Sequence, residues 1–115
     1  MIHCIRLLQM FSQVYYSVGR VEKSFLCNLL LPMYYVYVLQ SIKDGMFYTG
    51  FTEDLKKRIS KHNEGLVTST KHRRPLRLVY YEGGLHKTDA LDREMYLKTA
   101  WGKRYIINRI RNYLT

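Results

Sequence analysis

Two short runs of β-branched and aromatic residues flank an Asp44-Gly45 pair, and this pattern leaves the chain little choice of local topology. Residues 34–40 read as one strand and 46–51 as its return. Gly45 can take positive φ without steric cost, so Asp44-Gly45 closes a hairpin and the two strands run antiparallel. Thr52 is placed to cap a following helix, with Glu53 and Asp54 at its positive end, and Gly65 ends it. After a polar loop at 66–75, a third strand spans 76–82 and Gly83-Gly84 breaks it. Thr88 opens a second helix that runs to about Thr99. Gly102 interrupts, and a third helix covers 103–114 with Ile106, Ile107, Ile110 and Leu114 inward. The order, ββαβα plus a C-terminal helix, describes a small α+β domain.

Charge bounds the partner. Nineteen Lys+Arg stand against nine Asp+Glu, a formal net charge of +10. Such an excess favours a polyanion, nucleic acid before an anionic membrane. No apolar run approaches the roughly 18–20 residues of a membrane span. The basic character belongs to residues 33–115, which carry sixteen Lys+Arg and eight Asp+Glu. Residues 1–32 differ: no clear period, weak caps, and both cysteines, Cys4 and Cys27. They read as an upstream extension or a misassigned start, or else as an extra element packed on the domain. The cysteines show neither metal-ligand spacing nor a disulfide framework, which suits a reducing, cytoplasmic setting.

Helical geometry places several polar groups at the edge of the core. With Leu55 at zero and about 100° per residue, Ile59 falls near ~40°, His62 near ~340° and Arg58 near ~300°. Arg58 and His62 thus flank the apolar stripe. In the next helix, with Leu91 at zero, Met95 lies near ~40°, Leu97 near ~240°, Ala90 near ~260° and Glu94 near ~300°. Glu94 is the one carboxylate in that arc, and a carboxylate there needs a cation, hydrogen bonds or protonation. Lys98, one turn on, answers with an ordinary ion pair. A divalent ion answers equally well, because Mg²⁺ often takes one or two protein carboxylates and keeps several waters. On the first strand, alternation sets Tyr35 and Tyr37 on one face and Tyr34, Val36 and Val38 on the other; Tyr48 and Gly50 share a face of the second.

These residues, in this order and spacing, resemble the GIY-YIG nuclease superfamily, which includes the nuclease half of the excision-repair incision subunit and small stand-alone bacterial proteins. The likeness covers about residues 33–114. The family's first tyrosine corresponds to Tyr37, its second tyrosine and glycine to Tyr48 and Gly50, its helix arginine to Arg58. The aromatic or histidine one turn later corresponds to His62, and the metal-binding glutamate to Glu94. Three positions depart: Tyr35 stands for a glycine, Thr49 for an isoleucine, and Ile106 where many members carry asparagine. Either that asparagine's role is filled differently or activity is weak.

The resemblance implies a three-stranded antiparallel sheet flanked by helices, and a metal-dependent endonuclease acting on DNA in repair or recombination. It implies one Mg²⁺ or Mn²⁺ on Glu94, charge stabilisation by Arg58, and water deprotonation by Tyr37. His62 would relay the proton, Tyr48 would orient the water or a phosphate oxygen, and Gly50 would permit close approach. Phosphates would be gripped by Lys57, by Lys71, Arg73 and Arg74 in the loop, and by Lys103, Arg104, Arg109 and Arg111 on the last helix. Two other classes fit the same charge: a nucleic-acid-binding module without catalysis, and a basic domain that docks an acidic protein. RNA stays open as a substrate, since nothing in the chain reads a 2′-hydroxyl.

Overall fold

The computed structural model describes residues 32–115 of the 115-residue chain. The expectations for the cysteines and for residues 1–31 lie outside the described residues. Three strands, β1 (Tyr34–Ser41), β2 (Phe47–Thr52) and β3 (Leu76–Gly84), form one antiparallel sheet in the order β2-β1-β3. Four α-helices accompany it: α1 (Leu55–Asn63), α2 (Lys87–Lys98), α3 (Ala100–Arg109) and the short α4 (Arg111–Leu114). A 3₁₀ turn at Lys71–Arg73 interrupts the loop before β3. Among these residues no helix is long and apolar enough to cross a membrane.

Because β1 is central, its alternation loads both faces of the sheet. Val36 and Val38 point to one face, where they pack with Val79, Ala90, Leu97 and Ile106 beneath α2 and α3. Tyr37 and Leu39 point to the other, where they pack with Leu76, Tyr48, Leu55, Ile59 and Leu78 beneath α1. Each large side chain buried in this way contributes about 1.5–3 kcal/mol. Strand β3 carries a bulge. Val38 pairs with Tyr80 and Leu39 with Leu78, so Val79 is the extra residue. Val79 and its neighbour Tyr80 both join the cluster under α2 and α3, which strict alternation would forbid.

Several local expectations hold and several are corrected. Gly45 takes φ 74° in the β1–β2 turn and Gly65 takes φ 80° after α1. At Gly65 the helix ends in a double bond pattern: Gly65 N–H donates to the His62 carbonyl and Leu66 N–H to that of Lys61. The N-cap of α1 is Asp54, not Thr52: its carboxylate accepts from Lys57 N–H at 3.1 Å. Thr52 instead accepts from Asp54 N–H and shapes the turn before the cap. Gly83-Gly84 does not break β3, because pairing with Tyr35 and Tyr34 of the central strand carries it onward. Gly102 does not interrupt a helix. It sits in the first turn of α3, capped by Thr99, where a Cβ would strike the backbone of Tyr96 and Leu97. The glycine therefore lets α2 and α3 meet closely. Ile106, Ile110 and Leu114 turn inward as expected, whereas Ile107 is half exposed.

The buried stripe of α2 is also shifted. Ala90 and Leu97 are its buried residues, while Leu91 and Met95 face solvent. Ala90 offers the short side chain that lets the helix axis approach β1 and β2, and Met95 would hold it away.

Candidate active site

The hairpin, α1 and the loop after it converge on one phenol. Tyr37 is wholly buried at the centre of β1. Its hydroxyl lies 2.7 Å from His62 Nε2, and Arg58 donates to it through Nε at 3.3 Å. His62 is the buried residue of α1, wholly enclosed, and its Nδ1 lies 2.7 Å from the Thr70 hydroxyl. Thr70 is wholly buried too and donates to the Val67 carbonyl at 3.5 Å. Arginine can only donate, so one proton arrangement satisfies the whole chain of groups. Arg58 gives to Tyr37, Tyr37 to His62 Nε2, His62 Nδ1–H to Thr70, and Thr70 to Val67. The opposite order would leave the buried Tyr37 proton without an acceptor.

Tyr48 packs against this cluster. Its ring stands edge-on to His62 with centroids 5.2 Å apart and tilts against Tyr37 at 6.5 Å. Gly50 pairs with Tyr37 in register, and a Cβ at Gly50 would run into the phenol ring and its oxygen. Any other residue here would displace the group on which the hydrogen bonds converge.

The charges are set by this enclosure. Burial, reinforced by the Arg58 charge, lowers the His62 pKa to about 4, so the imidazole is neutral at pH 7. Burial raises the Tyr37 pKa above 10, and the hydrogen bond from Arg58 opposes the rise. The Glu94 carboxylate adds to the rise. Arg58 is raised in turn by its bond to Tyr37.

Glu94 stands apart from this group. Its side chain is 16% exposed, and Oε1 pairs with Lys98 Nζ at 2.9 Å. Its field nonetheless reaches Tyr37. Among the described residues no group of three or more His, Cys, Asp or Glu could hold a metal. A hard ion bound by one carboxylate, with water and phosphate oxygens completing its shell, fits Glu94; an ion needing an all-protein cage does not.

The expected phosphate contacts divide. Lys57, Lys71, Lys103, Arg104, Arg109 and Arg111 are exposed. Arg73 is engaged internally: it pairs with Asp44 at 3.2 Å and reaches the Phe47 carbonyl, pinning the loop to the hairpin. Arg74 donates to the Lys71 carbonyl at 2.9 Å and lies against Gly65. Ile106, where many members carry asparagine, is 1% exposed and packs in the apolar core. Thr70 was missed by the sequence reading. It lies eight residues past His62 in a loop with no period, and the hint was a hydroxyl-rich stretch, Thr68-Ser69-Thr70, after a core-facing histidine.

A one-sheet α+β domain with an arginine–phenol–imidazole cluster under a basic helix defines a narrow class. Residues 33–109 match the family model described as the GIY-YIG catalytic domain. A UPF0213 protein of Staphylococcus saprophyticus is 48% identical over 70 residues, covering 60% of this chain and 84% of its own. One from Clostridium perfringens is 46% identical over 67 residues, covering 57% and 71%. The solution NMR structure of a UPF0213 protein from Bacillus halodurans aligns with a TM-score of 0.43 and 35% identity, over 66% of this chain and 83% of that one. The chain belongs to the GIY-YIG family, among its small UPF0213 proteins.

Proposed function

We propose that residues 33–115 form a metal-dependent endonuclease that hydrolyses DNA phosphodiester bonds, in repair or recombination. The observation that carries this is the enclosed series Arg58–Tyr37–His62–Thr70, in which every proton is directed. A phenol with a reference pKa near ~10 is a poor base at neutral pH unless its proton has somewhere to go and its anion is stabilised. Here the neutral His62 Nε2 accepts a hydrogen bond from the phenol and aims it, and Thr70 holds the imidazole in the accepting tautomer. The Arg58 guanidinium would stabilise the phenolate once the phenol proton passes to solvent. The phenolate then takes a proton from the attacking water. Arg58 donors not used by Tyr37 would meet the charge growing on the phosphate, a task that suits a planar fork. Tyr48 would orient the water or a phosphate oxygen.

Glu94 would hold one Mg²⁺ or Mn²⁺. Bound there, the ion would polarise the phosphoryl group, stabilise the leaving oxyanion and reverse the field of Glu94 on Tyr37.

The Glu94–Lys98 pair at 2.9 Å favours a second reading, a nucleic-acid-binding module without catalysis. Cleavage of supercoiled plasmid and of branched and single-stranded DNAs separates the two. The test compares wild type and Glu94→Ala in Mg²⁺, Mn²⁺ and EDTA. Cutting that needs metal and is lost in the variant is expected. Equal binding without cutting by either protein would support the module.

A further inference from the structure

The last eighteen residues, Lys98 to Thr115, hold five cations, Lys98, Lys103, Arg104, Arg109 and Arg111, and no acid. The same stretch exposes three aromatic rings: Trp101 at 69%, Tyr105 at 38% and Tyr113 at 57%. None of them is needed for the core contacts of α3 and α4, which Gly102, Ile106, Ile110 and Leu114 make. Each ring has a guanidinium above it. Arg104 lies 4.3 Å from the centroid of Trp101, Arg93 lies 4.7 Å from Tyr105, and Arg77 lies 5.4 Å from Tyr113. Two nearby acids are already paired: Glu82 with Arg93 at 2.6 Å and Glu94 with Lys98 at 2.9 Å. The exposed acids Asp89 and Asp92 belong to α2.

Cations alone serve any phosphate backbone. Exposed rings interleaved with them add something a duplex cannot use, because paired bases hide their faces in the stack. Unpaired bases stack on such rings with about 1–3 kcal/mol each. We propose that the outer face of α3 binds single-stranded DNA, with Trp101 stacking on an unpaired base and Lys103 and Arg104 holding the flanking phosphates. The surface lies outside the Tyr37–His62 pocket, so its binding does not depend on hydrolysis.

Trp101 is the chain's one tryptophan, so its fluorescence reports the contact directly. The full chain would be titrated in EDTA with three probes of about 15 nucleotides: oligothymidylate, an abasic strand and a duplex. Oligothymidylate is expected to quench the fluorescence, and the abasic strand and duplex to bind without quenching. Trp101→Ala should weaken oligothymidylate binding about tenfold and leave duplex binding unchanged, with Trp101→Phe retaining most of the affinity. Circular dichroism melting checks that both variants fold, and the wild-type comparison of oligothymidylate with the abasic strand carries the test if alanine does not. The proposal is overturned if the abasic strand binds as tightly as oligothymidylate. It is also overturned if the variant loses single-strand and duplex affinity alike, or loses neither.

Discussion

The two faces of the sheet share the central strand and are built for different ends. Under α2 and α3 the residues alternate into a dry cluster of Val36, Val38, Val79, Ala90, Leu97 and Ile106. Under α1 the same strand sends in Tyr37, which meets His62 and, beyond it, Thr70, all wholly buried. The first face gains stability from area alone. The second encloses polar groups, and such groups are tolerated only when each finds a partner. An apolar face would tolerate replacement by any shape-preserving residue, while the polar face ties its geometry to specific atoms. The first face is therefore chiefly scaffold, with Glu94 at its edge on α2, and the other can hold chemistry in a fixed geometry.

Three variants sharpen this contrast. The largest effect is expected on the dry face. Leu97→Ala leaves a cavity between α2 and the sheet and should cost about 2–5 kcal/mol in denaturant unfolding. Next comes a pH effect confined to the polar face. His62 has a folded pKa of about 4, below its unfolded value of 6.5, so between those values the unfolded chain binds the extra proton. Stability is then fully present above pH ~6.5 and falls as pH drops toward ~4, by on the order of 3 kcal/mol. In unfolding midpoints measured from pH 7 to pH 4, His62→Gln should show a shallower slope than wild type. A variant with the same slope would mean the imidazole is not held neutral. The smallest effect belongs to Met95, 68% exposed beside Glu94, where Met95→Ser should change stability by no more than about 0.5 kcal/mol. A loss like that of Leu97→Ala would restore Met95 to the core.

The polar face was the more legible of the two from the sequence. Asp44-Gly45 announced the hairpin, Gly65 the end of α1, and the wheel set His62 beside Leu55 at the edge of the apolar stripe. These are local signals, each carried by one turn or one helical period. The rest depended on partners far along the chain. Leu91 and Met95 made the more apolar arc of α2, yet Ala90 and Leu97 are buried, because close approach to the sheet selects a small residue. The bulge at Val79 and the continuation of β3 through Gly83-Gly84 follow from pairing with β1. Thr70 closes the hydrogen-bonded series from a loop whose path no periodicity describes. Arg73 pairs with Asp44 and Arg74 donates to the Lys71 carbonyl, contacts of their own loop that no local pattern announces.

The division of labour between the faces is tested most directly by single-turnover cleavage with Tyr37→Phe and Leu97→Ala. Both would be assayed with metal at a temperature where circular dichroism shows them folded. Tyr37→Phe removes only the hydroxyl on which Arg58 and His62 converge. It should cut at least about 100-fold more slowly than wild type, the usual worth of a positioned general base. Leu97→Ala should unfold earlier yet lose far less activity than Tyr37→Phe, its effect on rate limited to what a shift of α2 does to Glu94. Cutting undiminished in Tyr37→Phe, with loss in Leu97→Ala, would contradict the assignment of chemistry to the polar face.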